Sequence, residues 1–450
     1  MSLAGPAPVS SNPFVRLTGD LRAERGVTVP FPPGETRPSL ARTHRFARDP
    51  LPLLLDLYER FGPVFTVRIF HGNNVFALGP EANHHITVSY AANYSWRDGN
   101  MGDLMPLLGD GLLTIDGDFH RSSRRIMLPA FHRDRIEAAR ATMGAETDAA
   151  LAGVRVGEPF DLSAWTRELA LRIAMRALFG LDPDRARAGG LNAAAEFEAA
   201  LGFYARDYAL QVLRGPRTPW ARMWAARGRL DRLILGEIAS RRASGTRGED
   251  VLSLLLDARD EGGEALSDRH VRDEVMTLLF AGHDTTTSTV AFLFYELARH
   301  PELVEDDGFD LDLAMDETLR LYPAAWIGPR RSIAPAVIAG VAVPGGVPVN
   351  YCSWASHRLP DVWDEPEAFR PERFAPGNRE RIAKGAYVPF GGGSRTCLGM
   401  RFGQAEIRVI ASRILQRFRL ELAGDARLEI RQMPTISPRR GLPVVPRPAR

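Results

Sequence analysis

The sequence predicts a mainly α-helical fold with a smaller β region, and three patterns carry that expectation. Apolar residues recur at helical spacing through most of the chain after Gly79. Period-two alternation is confined to one hairpin near Phe65, a stretch from Val337 to Val349 and the C-terminus. One helical pattern runs from Ser267 to His300, where Pro301 stops it. With 450 residues, 45% hydrophobic and 25% charged, the composition is that of a globular protein. No linker separates two folding units, so the expectation is a single domain over residues 1–450, with an extended N-terminal segment over 1–45 where prolines and glycines are frequent.

Taken in order, Leu53, Leu54, Leu55, Leu57 and Tyr58 predict a short helix ended by Phe61-Gly62-Pro63. Phe65, Val67 and Ile69 then alternate with Thr66 and Arg68, His71-Gly72-Asn73-Asn74 supplies a turn, and Val75 to Leu78 returns. Helices follow, with loops expected at Arg97 to Gly111 and Gly215 to Pro219. Between Asp161 and Gly180, Trp165, Leu169, Ile173 and Leu178 recur at near-helical spacing, with Asp161 or Ser163 available as cap and Gly180 as stop.

The Ser267 to His300 helix is roughly 50 Å long at about 1.5 Å per residue. Its centre is odd: Ala281-Gly282-His283-Asp284-Thr285-Thr286-Thr287 puts a glycine, an acid and several alcohols where a buried helix favours leucine or alanine. Threonine hydroxyls compete for backbone carbonyls, so a local distortion that opens a groove is expected here. Downstream, Ile407, Ile410, Ile414, Leu415 and Phe418 predict a core-facing helix beginning just after Cys397.

A formal net charge of +2, with arginines dispersed along the chain, gives no case for nucleic acid. Lys384 is the single lysine among 57 basic residues, an arginine bias expected of a GC-rich bacterial genome. Two cysteines, Cys352 and Cys397, form no disulfide framework, which favours a reducing cytoplasm. Met1 to Thr43 contains no apolar run of the about 20 residues that span a bilayer, nor a secretory signal, so no membrane anchor is expected.

Chemistry concentrates at Phe390-Gly391-Gly392-Gly393-Ser394-Arg395-Thr396-Cys397-Leu398-Gly399. A lone thiol among glycines lets the backbone approach a large flat cofactor and aim N–H groups at a thiolate. This segment completes Phe-x-x-Gly-x-Arg-x-Cys-x-Gly and resembles the haem-binding loop of the cytochrome P-450 family. The resemblance implies the family fold, with its long central helix over the haem, and haem b held by Cys397 as axial iron ligand. It implies further that Arg395 pairs with a haem propionate, that Phe390 packs beside the thiolate, and that Gly393 and Gly399 leave room for the macrocycle. Cys352 reads as core.

Further segments extend the resemblance from about Phe61 to Pro443. The centre of the long helix is similar to the family's oxygen-activation motif, which implies that Thr285 hydrogen-bonds the oxygen and Asp284 relays protons from solvent. Glu317-Thr318-Leu319-Arg320 and the later Phe369-Arg370-Pro371-Glu372-Arg373-Phe374 are similar to the family's Glu-x-x-Arg helix and its arginine segment, implying a structural network of Glu317, Arg320 and Arg373. His120 and Arg124, four apart on one helix face, and Arg330, with Arg331 as a close rival, resemble the family's propionate ligands. His357, in Ser356-His357-Arg358, is either near the haem edge or a surface histidine, and Thr435-Ile436 resembles the tip of a closing hairpin that lines the substrate cavity.

The implied function is a haem-thiolate monooxygenase of the soluble bacterial type, inserting one atom of O2 into an apolar small molecule such as a terpenoid or fatty acid. No flavin or nicotinamide domain fits in the chain, so electrons are expected from a ferredoxin or flavodoxin with its reductase, NAD(P)H acting only indirectly. Docking is expected near Arg124, Arg125, Arg395 and Arg401. Peroxide-driven peroxygenation is an alternative that the Asp284-Thr285 pair argues against, and a non-catalytic haem sensor or carrier is another. Phe203, Tyr204, Tyr208 and Trp220 are candidate pocket residues. The connection from Pro301 to Glu317 is shorter than is common in the family, and acidic.

Overall fold

The computed structural model describes residues 12–204, 206, 208–259, 263–424 and 428–449. The chain forms two compact units: one holds Met105–Leu311 and the chain from Leu398 onward, the other the described residues up to Leu104 together with Asp312–Cys397.

The first unit is helical and is organised by the helix Asp268–Arg299, 32 residues long. Ser267 caps it, Oγ accepting the His270 N–H at 3.2 Å, and Pro301 begins the next helix. From Val271 to Phe280 every side chain is buried, and most remain so to Leu297, as expected of a helix enclosed on all sides. The helices Leu162–Ile173, Met400–Arg417 and Pro219–Ser244 pack against it. The helix is unbroken where a distortion was expected. Thr285, Thr287 and Thr289 donate to the carbonyls of Ala281, His283 and Thr285 at 2.7, 2.8 and 3.0 Å, so the alcohols are satisfied by their own helix and need no groove.

Asp161 ties this unit's small sheet to its helices. The strands Phe160–Asp161, Pro443–Pro448 and Phe418–Leu422 form an antiparallel sheet with Pro443–Pro448 at its centre. Asp161 Oδ1 caps the helix Leu162–Ile173 by accepting from the N–H groups of Ser163 and Ala164 at 2.9 and 3.3 Å, and it also accepts from Leu442 N–H at 2.9 Å. Gly441, φ 78°, sits so close that a Cβ there would lie 2.1 Å from the Asp161 carboxylate.

The second unit carries a six-stranded sheet in the order Gly34–Glu35, Val64–Ile69, Gly72–Ala77, Pro348–Tyr351, Gly328–Ser332, Tyr94–Ser95. The Val64–Ile69 and Gly72–Ala77 hairpin pairs Val64 with Ala77 and Ile69 with Gly72. Its turn is therefore tighter than the sequence suggested, with Phe70 at φ 54° absorbing the reversal. The helix Pro50–Phe61 covers the hairpin with Leu53, Leu54 and Leu57. The strand Gly328–Ser332 was not anticipated, because a proline and two arginines hide its alternation.

The expected extended segment over 1–45 is corrected by two helices, Pro13–Arg25 and Leu40–Arg48. Asn12 Oδ1 and Ser39 Oγ cap them, accepting from Phe14 N–H at 2.9 Å and Arg42 N–H at 3.2 Å. Polar contacts rather than an apolar stripe hold the first: His71 Nε2 lies 2.8 Å from Asp20, and Arg68 and Asn73 each donate to Glu24 at 2.6 Å. Asp161→Ala is expected to lower stability by about 1–2 kcal/mol through lost capping, and Asp161→Asn by less, read as the shift in urea midpoint.

Candidate functional site

The cysteine loop lies against the one-turn π-helix His85–Ser89 of its own unit. Gly391 and Gly393 adopt φ 68° and 61°, and a Cβ on Gly393 would lie 2.2 Å from the Thr87 carbonyl oxygen. Gly393 is thus required by close approach to Thr87. Gly399 differs: a Cβ there would meet only Phe131 Cε1, at 3.8 Å. Cys397 N–H donates to Phe390 O at 3.0 Å, closing the loop. Phe390 is half-buried.

Cys397 is exposed and Cys352 is buried. The Cys352 Sγ accepts from Ala355 N–H at 3.4 Å, and burial pushes its thiol up to about 12. Of the two thiols, Cys397 is the one open to a soft metal.

A buried ionic network supports the loop from behind. Arg320 grips Glu317 with Nε and Nη2, both at 2.8 Å, and both side chains are fully buried. Arg373 Nε reaches Glu317 Oε1 at 3.3 Å, and Arg370 N–H donates to the same oxygen at 2.9 Å. The three residues paired by sequence motif meet at one carboxylate. Arg320 also donates to the carbonyls of His357 and Pro366 at 2.8 Å and of Ala368 at 3.1 Å.

His357 continues the network and is neither exposed nor a surface residue. Its Nε2 accepts from Val388 N–H at 2.9 Å, so the proton sits on Nδ1, which donates to Arg320 O at 3.0 Å. Burial lowers its pKa to about 3, keeping it neutral and this tautomer fixed. Val388 leads directly into Phe390, so the Glu317 cluster is joined to the cysteine loop through one imidazole.

Two arginines of the same unit converge on Trp96, which sequence reasoning did not single out. The guanidinium carbon of Arg330 stands 3.6 Å from the indole centroid and that of Arg395 5.0 Å. Arg330 is buried, at 3% exposure. Arg331 instead donates to Asp98 O at 2.9 Å and Gly346 O at 2.8 Å and pairs with Asp20. In the other unit, His120 is buried and Arg124 half-buried on the helix Gly117–Met127.

The acid and alcohol of the long helix have different partners. Asp284, 1% exposed, accepts from Thr435 Oγ1, while Thr285 Oγ1 is engaged with Ala281 O. Thr286 donates to Glu406 Oε2 at 3.0 Å. Glu406 is fully enclosed and its other oxygen has no hydrogen-bond partner among the described residues, so burial raises its carboxyl to about 8. His283 is buried and its pKa falls to about 4. Burial also raises the Glu198 carboxyl, helped by the charge of Asp284 and opposed by Arg167, whose Nε lies 2.8 Å from Glu198. Sequence reasoning missed Glu406, although an acid between Ala405 and Ile407 on an apolar helix face was a signal. It had no signal for Thr435 as a partner of Asp284.

Phe203, Tyr204 and Trp220 pack on one another, with ring centroids 5.1 and 5.5 Å apart. The side chain of Tyr208 lies outside the described residues. Within the unit of Cys397 the donor set, an exposed thiol in a glycine loop with the buried guanidinium of Arg330, fits iron and a carboxylate of a haem. Nothing in the chain's own packing demands the glycine at 399.

The sequence matches the cytochrome P450 family over residues 32–306 and 311–443, and the chain belongs to that family. The break in the match falls on the short acidic connection. The chain is 32% identical to cyclooctat-9-en-7-ol 5-monooxygenase of Streptomyces melanosporofaciens, covering 88% of this chain and 90% of that protein. It is 31% identical to putative cytochrome P450 135B1 of Mycobacterium tuberculosis, covering 87% and 85%. Its fold matches a retinoic acid-bound cyanobacterial CYP120A1 structure with TM-score 0.82 and 26% identity, covering 94% of this chain and 100% of that one. The haem domain of cytochrome P450DA gives the same TM-score and identity, covering 94% and 98%. The protein is a cytochrome P450 monooxygenase, a haem enzyme of mainly α fold with a smaller sheet region. No described helix is long and apolar enough to cross a membrane.

Glu317→Ala strands the buried Arg320 guanidinium, with the half-buried Arg373 beside it, and is expected to cost about 3–5 kcal/mol, measured by chemical denaturation. Glu406 gives a pH test. Its folded pKa of about 8 exceeds its ordinary 4.5, so the folded state holds the proton longer and stability falls as pH rises between those values. Glu406→Gln is expected to flatten that part of the stability–pH curve; an unchanged slope would count against a neutral buried Glu406.

Proposed function

We propose that the chain is a single haem-thiolate domain, bacterial and cytoplasmic, that hydroxylates a terpenoid. The observation that carries the site assignment is the exposed Cys397 on a glycine loop held from behind by Glu317, Arg320, Arg373 and His357. In this reading the Cys397 thiolate would hold the iron, with Phe390 beside it and Gly399 leaving space. Arg330, Arg395, His120 and Arg124 hold the two propionates. Iron held by a thiolate supplies the activation of O2.

The remaining work belongs to side chains. Glu317, Arg320 and Arg373 keep the loop rigid, so that the sulfur is presented without reorganisation. Thr285 must exchange its 2.7 Å bond to Ala281 O for an outward one in order to donate a proton. Asp284 takes protons up and passes them on. Electrons come from NAD(P)H through a ferredoxin or flavodoxin and its reductase. The exposed Arg125 and Arg401 offer cations for an acidic partner.

The substrate class rests on two relatives, one named for an action on cyclooctat-9-en-7-ol and one structure bound to retinoic acid. Their names share a largely apolar skeleton with one polar oxygen function. The test titrates the ferric protein with geranylgeraniol and retinoic acid against lauric acid. A spin-state change with the isoprenoids and none with laurate is expected, and the reverse order overturns the substrate class. Cys397→Ser is expected to abolish the red-shifted Soret band of the reduced carbon monoxide complex; retention of that band overturns the ligand assignment. Asp284→Asn is expected to divert reducing equivalents to hydrogen peroxide, measured per product formed.

A further inference from the structure

The long helix is joined to the hairpin Ile430–Arg431, Ser437–Pro438 by two side-chain hydrogen bonds one helical turn apart. Thr435 Oγ1 donates to Asp284 Oδ2, and Ser288 Oγ donates to Ile436 O at 2.5 Å. Residues 284 and 288 share a helix face, and 435 and 436 are consecutive, so the pairings form one short zipper. All four residues are buried, with Asp284 1%, Ser288 0%, Thr435 5% and Ile436 0% exposed.

We propose that Thr435 is a positioning residue for proton delivery, its hydroxyl latching the Asp284 carboxylate in one orientation against the C-terminal hairpin. This deepens the reading of Asp284 as a proton relay and rests on it. A carboxylate relays protons by taking one on one oxygen and releasing it after rotation, and an oxygen already accepting a strong hydrogen bond resists that rotation. With Oδ2 held by Thr435, Oδ1 is the oxygen placed to exchange protons. The titratable groups that interact with the charge of Asp284 are His283 on its own helix and Glu198 on the helix Ala193–Leu201; Arg167 on the helix Leu162–Ile173 acts on both of these, and Arg431 on the hairpin acts on Glu198. Among the described residues, only Thr435 gives the Asp284 side chain a hydrogen bond from another side chain.

The rival account is that Thr435 merely docks the hairpin. Ser288 separates the two, because its hydroxyl bonds to the same hairpin and not to the Asp284 carboxylate. The first measurement needs no substrate: infrared difference spectroscopy of the carboxylate stretch assigned to residue 284 by its loss in Asp284→Asn. Thr435→Val is expected to shift that band, Thr435→Ser to restore it and Ser288→Ala to leave it unmoved. The second measurement is peroxide released per product with geranylgeraniol, using a surrogate ferredoxin and its reductase. Thr435→Val is expected to raise the leak several-fold and enlarge the solvent isotope effect, Thr435→Ser and Ser288→Ala to behave as the parent, and Thr435→Val to add nothing in an Asp284→Asn background. An unmoved band in Thr435→Val, an equal leak in Ser288→Ala, or full additivity with Asp284→Asn overturns the latch. Parental coupling in Asp284→Asn instead overturns the relay itself and leaves the band shift to decide the hydrogen bond.

Discussion

Everything the cysteine loop does depends on one buried carboxylate. Glu317 has no exposure to water, and a bare carboxylate in that position would be untenable. It is sustained by the two-point grip of Arg320, the reach of Arg373 and the backbone N–H of Arg370. Each partner carries a second obligation. Arg320 satisfies three carbonyls, at His357, Pro366 and Ala368, so the pair fixes a stretch of otherwise irregular chain. Buried ion pairs are weak evidence for net stability, because desolvation consumes most of the attraction. Their value here is geometric: an irregular segment with few apolar side chains can be held in one shape by carbonyl acceptors converging on a planar guanidinium.

His357 converts that rigidity into loop position. Its ring has a donor committed to Arg320 O and an acceptor committed to Val388 N–H. A lysine or arginine in its place has no acceptor, and a protonated imidazole loses its own. The depression of its pKa to about 3 is therefore part of its structural role. The loop is further pressed flat by Gly393 against Thr87 O, so polar restraint acts from one side and steric fit from the other.

The legible and illegible parts of the molecule divide by how local the signal is. The Ser267 cap, the Asp161 cap and the pairing of Glu317 with Arg320 are set by spacings of three or four residues, and spacing is visible in a sequence. The bond from Thr435 to Asp284 spans 151 positions and that from Thr286 to Glu406 spans 120. Neither has a periodic signature. The helix Pro13–Arg25 was illegible for another reason, since charges on Asp20 and Glu24 hold it where an apolar stripe was sought. The approach of Gly393 to the Thr87 carbonyl was likewise illegible, because a glycine in a sequence does not say which backbone it lies against.

Arg330 and Arg331 take opposite directions for a reason that lies in strand parity. In the sequence two adjacent arginines are equivalent. Once Gly328–Ser332 is itself a strand, paired to Pro348–Tyr351 with Arg330 opposite Val349, neighbours must point to opposite faces. One face is occupied by the N-terminal helix, whose Asp20 takes Arg331. That leaves Arg330 to the other face, over Trp96 and near Tyr351. Gly328 permits this crowding, since a Cβ there would lie 2.0 Å from the Tyr351 ring. The assignment of the inward arginine thus follows from strand parity and one acid on a helix that the sequence did not reveal.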